Sequence, residues 1–132
     1  MLSKLLIIAT AIILLASTQV QADEWTRNDT YWQVAVTALI IGDWGQTRYI
    51  AQNPDRYQEY NPILGSHPST GSVDLYFATS IVAHAAIAYF LPSKVKVFGT
   101  DINPRRIWQL ATIGLEIGCV GNNARLGIGF SF

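Results

Sequence analysis

From Ser72 to Leu91 the chain reads SVDLYFATSIVAHAAIAYFL and is closed by Pro92, with Asp74 and His84 as its only side chains that carry or gain charge near neutral pH. A helix of about 20 mostly apolar residues matches the hydrocarbon thickness of a bilayer. This segment therefore restricts the chain to folds that can cover it with protein or with lipid. The composition favours lipid: 50% of residues are hydrophobic and 14% charged, where a soluble domain carries about 25% charged residues. Lys and Arg together number 9, as do Asp and Glu, so no basic excess is present to hold a nucleic acid. The single cysteine, Cys119, forms no internal disulfide, and no C-x-x-C spacing offers a zinc site.

At the N-terminus, Lys4 precedes the apolar run LLIIATAIILLA, Leu5 to Ala16, and small and polar residues lead to Val20-Gln21-Ala22. This is the layout of a signal peptide cleaved after Ala22, with an uncleaved anchor helix over residues 1–22 as the alternative. No cysteine follows the run to take a lipid anchor. The expected helical membrane domain is 23–132.

Two more apolar segments flank the first. Tyr31 to Ile50 follows Asn28-Asp29-Thr30, where Asp29 or Thr30 is the expected helix cap. Ile107 to Val120 follows Asn103-Pro104-Arg105-Arg106 and is expected to stop at Gly121, Asn122 and Asn123. The expected elements are thus helices near 31–50, 72–91 and 107–120. The outer two have purely apolar stretches of only about a dozen residues, which suit buried or re-entrant helices as well as full spans. Trp25, Tyr31, Trp32, Tyr49, Tyr89, Phe90 and Trp108 fall near segment ends, where aromatic rings favour a membrane interface. Ala78, Ser80, Ala83, Ala85, Ala86 and Ala88 make the middle segment small-sided, which permits close helix approach.

Topology is contested. A full span by residues 31–50 places the loop Ser93 to Arg106, with Lys94, Lys96, Arg105 and Arg106, on the external side, against the positive-inside rule. A re-entrant first segment removes the conflict but leaves a half-span near Asp43 to be covered by protein.

Each segment carries one polar stripe at helical spacing. Gln109, Thr112, Glu116, Cys119 and Asn123 line the third; Gln33, Thr37, Asp43 and Thr47, with Gln46 beside them, line the first; Asp74, Phe77, Ile81, His84 and Ala88 line the second. An ionisable group at mid-bilayer costs about 2.5–3.5 kcal/mol or more, so the stripes are expected to turn inward. The candidate network is Asp43, Gln46, Thr47, His84, Gln109, Thr112 and Glu116, with Glu116 the first expected partner of His84 and Asp43 the second. Three roles compete for it: a structural hydrogen-bond network, a proton or ion path, and a metal site of Asp43, His84 and Glu116 suited to Fe, Mn or Zn. No cofactor is implied. Ser80 lies four residues before His84, but without a G-x-S-x-G turn it signals no nucleophile. Cys119 reads as a small apolar filler, and His67, in the loop Gln58 to Ser72, as exposed.

The series DWGQT at Asp43 to Thr47, NPILG at Asn61 to Gly65, Tyr76-Phe77, His84, Leu91-Pro92 and Glu116 resembles a group of short, uncharacterised membrane proteins of proteobacteria and their phages. The resemblance covers most of the mature chain through short motifs. It implies a small, phage-related, multi-span membrane protein and draws attention to Asp43, Gln46, His84 and Glu116, with no activity attached.

One feature points elsewhere. In the ending RLGIGFSF, Leu126, Ile128, Phe130 and Phe132 alternate with small or polar residues, as in the closing strand of an outer-membrane barrel. The expected architecture remains all-α: a small membrane bundle of two to three spans after the signal or anchor helix. The expected function is a structural or interaction role in a bacterial inner membrane, with the outer membrane as the alternative location. A small transporter or holin-like pore comes second, a metal-dependent membrane enzyme third. The expected partners are the lipid bilayer and a second copy or another membrane protein, not nucleic acid.

Overall fold

The computed structural model describes residues 23–132; the signal or anchor expectation for residues 1–22 lies outside the described residues. Three helices dominate: α1 (Arg27–Gln52), α2 (Thr70–Phe90) and α3 (Pro104–Arg125). Between α2 and α3 lie two short strands, β1 (Val95–Val97) and β2 (Thr100–Ile102), paired antiparallel with Val97 opposite Thr100. The all-α expectation is corrected to a helical fold with one small hairpin.

Helix α1 is capped by Thr26, earlier than the expected Asp29 or Thr30. The Thr26 side chain accepts the Asp29 N–H, and the Asp29 carboxylate accepts the Thr26 N–H in return. This reciprocal capping box supersedes the expected cap, because it satisfies two orphan backbone donors at once. From there α1 runs 26 residues without a break, about 39 Å at 1.5 Å per residue. The helix has no turn within it near Asp43.

Helix α2 starts at Ser69, whose side chain accepts the Ser72 N–H, and stops before Pro92, as expected. Helix α3 starts at Asn103, with Pro104 in its first turn. Its expected stop at Gly121 is corrected. The helix continues to Arg125, and the chain turns out at Gly127, whose φ of +76° is the left-handed conformation that glycine adopts without strain.

Helix α1 packs against both others, whereas α2 and α3 touch less and meet around Ala88–Arg105 and His84–Thr112. The apolar core is small: Val36, Ile40, Val73 and Phe77, with the Trp44 ring stacked on Phe77 at 6.3 Å. Arg48 and Trp44 both bond Asp74, which fastens the end of α1 to the start of α2. The segment between α1 and α2 folds back over that end and buries Pro68, leaving His67 exposed.

The terminal alternation forms no strand. Ile128 is buried, the Ser131 N–H donates to the Gly45 carbonyl at 3.0 Å, and the Ser131 hydroxyl donates to Gln52 at 2.7 Å. The tail lies along a helix, so the barrel-strand expectation is corrected: its backbone has no neighbouring strand to pair with.

Candidate functional site

Because α1 and α3 run parallel and α2 runs against them, a residue meets only neighbours at its own height in the bundle. The inward polar groups therefore separate into three levels.

The first level lies where α1 and α3 begin. Arg105 is fully buried. Its Nε donates to the carbonyls of Ala88 and Leu91, both at 3.0 Å, which have no partner at the end of α2. Its Nη1 donates to Asp29 at 3.0 Å, its Nη2 to the Asp23 carbonyl at 3.2 Å, and its guanidinium lies 5.2 Å from the Trp25 ring centre. Arg106 takes the other Asp29 oxygen at 3.2 Å, and Gln109 donates to the Asp29 carbonyl at 3.2 Å. One guanidinium thus joins α2, α3, α1 and the chain before α1. Removing one partner of such a buried pair costs about 3–5 kcal/mol, since it leaves the other charge without compensation.

His84 occupies the second level. Thr112 donates its single hydroxyl proton to the Trp108 carbonyl at 3.0 Å, so at the 3.0 Å contact with His84 Nε2 the ring must donate. Nδ1 is then free to accept from the Gln33 amide at 3.1 Å. The network assigns a neutral ring protonated at Nε2, stacked on Trp108 with centroids 5.0 Å apart. The expected partnership of His84 with Glu116 or Asp43 is corrected: those carboxylates sit about a helical turn or more further along the bundle. The candidate metal set Asp43, His84 and Glu116 is divided for the same reason, and among the described residues no three His, Cys, Asp or Glu side chains gather to hold a metal. The His84 ring bonds no carboxylate, so it forms no direct relay with either. Ser80 makes no bond to it.

The third level is a cavity of about 480 Å³ in the wedge where α2 and α3 diverge. Asp43, Glu116 and Cys119 reach it from the helices and Glu59 from the loop between α1 and α2, while the largely exposed Tyr60 and Ile63 form its rim. Cys119, expected as filler, lines this space. Asn123 donates to Asp43 at 3.3 Å, and Gln46, fully buried beside it, donates to the Val120 carbonyl at 3.3 Å. Thr47 is buried against the same space. Glu59 is held in place by accepting the N–H groups of Tyr60 and Asn61 at 2.9 and 2.8 Å. Glu116 is 9% exposed, and its Oε2 is inaccessible and without a hydrogen-bond partner among the described residues.

Asp29, Arg105 and Glu59 were not among the expected site residues. The spacing Thr26-x-x-Asp29 is a capping-box signature that marks Asp29 as structural. Nothing in the local sequence marks Arg105 as buried or brings Glu59 to the cavity. No protein-family model, curated protein or solved structure matches the chain.

Proposed function

We propose that the chain is an integral protein of a bacterial inner membrane with a structural or interaction role, its three helices crossing the bilayer and its polar side chains turned into the bundle. The observation that carries this reading is inverted polarity. The largest fully buried side chains include Arg105, Gln46 and Gln109, while Leu75 at 71%, Val82 at 70% and Ile117 at 57% face outward. Water penalises that arrangement and lipid rewards it, because an apolar surface needs no cover in hydrocarbon and polar groups must find partners inside. Helix α2, 21 residues long with an 18-residue stretch of mean hydropathy 1.4, is long and apolar enough to cross alone, and 22% of that stretch is buried. A core helix of a soluble fold would be mostly covered. Helices α1 and α3 have the length but not the composition, and their polar faces are turned toward one another.

The interaction role rests on the outer face of α2, where Ala78, Ala83 and Ala86 are exposed and allow another helix to approach closely. The pore reading has less support, since Gln33, His84, Thr112 and Trp108 bond across the middle of the bundle and Arg105 fills one end. After carbonate washing, the expressed protein should remain with the inner membrane, and the membrane potential should hold on induction. Recovery in the soluble fraction or the outer membrane would refute the location. A collapsed potential would favour the pore.

A further inference from the structure

We propose that the wedge cavity is a binding site for an organic amine, with its ammonium group against Glu116 and Asp43 and its hydrocarbon stem along Ile40, Leu115 and Ile128. This goes beyond the proposed membrane role and does not depend on where the chain resides.

Glu116 is the central observation. A carboxylate offers about four acceptor positions, yet this one is 9% exposed, lines the cavity, and accepts no hydrogen bond from the described residues; its Oε2 is closed off from the cavity, so a ligand would meet the carboxylate through Oε1. Asp43 has the Asn123 amide at 3.3 Å, and Glu59 adds a third carboxylate from the loop. The lining includes no Lys, Arg or His, so no side chain of the wall balances these acids, and an ammonium group would. Carboxylates removed from water are otherwise unfavourable unless paired.

Size and walls narrow the ligand class. A volume of about 480 Å³ lies in the range of about 300–1,000 Å³ typical of small-molecule sites and far exceeds what a bare ion fills. The three-ligand geometry a metal would need is not present among the described residues. Isoleucine and leucine walls take an alkyl chain, and Tyr76 and Phe77 add further apolar surface to the lining. An anion would meet three like charges, and a neutral ligand would leave the acids unmatched.

The test uses the full chain purified in dodecyl maltoside and titrated calorimetrically with hexylamine, with hexan-1-ol as the uncharged counterpart. Hexylamine should bind saturably at one per chain, with hexanol weaker by about tenfold or more, as expected when a desolvated charge pair is absent. Glu116→Gln, which preserves the volume, should lower hexylamine affinity by a similar factor and leave hexanol unchanged. Glu59→Gln, on the loop and remote from the helix contacts, should produce a smaller loss and serves if the Glu116 variant does not fold. Glu24→Gln, outside the cavity, should have no effect. Equal binding of amine and alcohol, unchanged amine affinity in the carboxylate variants, absence of saturable amine binding, or saturable Mg²⁺ binding that displaces hexylamine would each overturn the proposal.

Discussion

At position 84 the imidazole has both nitrogens engaged by uncharged partners, Gln33 and Thr112, and its face covered by Trp108. His84→Ala should therefore lower stability by about 1–3 kcal/mol by leaving the half-buried Gln33 amide without its acceptor. In a double-mutant cycle read by reversible unfolding in detergent, His84→Ala should couple to Thr112→Val and be additive with Glu116→Gln to within about 0.5 kcal/mol. Coupling to Glu116 instead would place the ring elsewhere. The inward direction of His84 was legible, because helical spacing fixes the angle at which a residue projects and an ionisable group avoids lipid. Its partner was not. Periodicity carries no information on the relative height of two helices, which depends on how the connections fold, and those connections contain a folded loop and a hairpin. The same gap hid the convergence of Glu59 with Asp43 and Glu116 and the burial of Arg105.

The elements were legible in kind and less so in extent. The apolar runs and Pro92 disclosed three helices, but the Thr26–Asp29 capping box starts α1 ahead of its apolar stretch, and Gly121 sits inside α3 because the exit conformation falls at Gly127. The hairpin left little trace in the sequence. Its strands are three residues each, and its two-residue turn uses Phe98 and Gly99 at φ +49° and +82°, a primed turn in which Asn or Gly is usual at both positions. The tail misled because alternation also serves a chain lying on a helix. Gly45 makes that possible: a Cβ there would sit 2.7 Å from the Phe132 ring. Gly45→Ala should displace the ring while adding up to about 1 kcal/mol of helix propensity to α1. Amide hydrogen exchange should then show Ser131, protected by the Gly45 carbonyl in the wild type, exchanging faster. Unchanged Ser131 protection would mean that the tail is not seated on Gly45.

Across the whole molecule, the three polar levels lie inside the bundle, while many large apolar side chains lie on its exterior. The buried Arg105 also changes how the basic loop bears on orientation. Arg105 and Arg106 are engaged by Asp29, and Lys94 pairs with Asp101 at 3.1 Å, so most of the loop charge has a partner at the same end of the bundle. Membrane crossing by all three helices requires the start of α1 and the β hairpin to share one side and the loop between α1 and α2 to occupy the other, whichever side faces the cytoplasm. In a Cys119→Ser background, single cysteines at Glu24, Lys96 and Asp55 can be labelled with a membrane-impermeant maleimide on spheroplasts and on inverted vesicles. The account predicts that Glu24→Cys and Lys96→Cys react in one preparation and Asp55→Cys in the other; reaction of all three from the same side would contradict it.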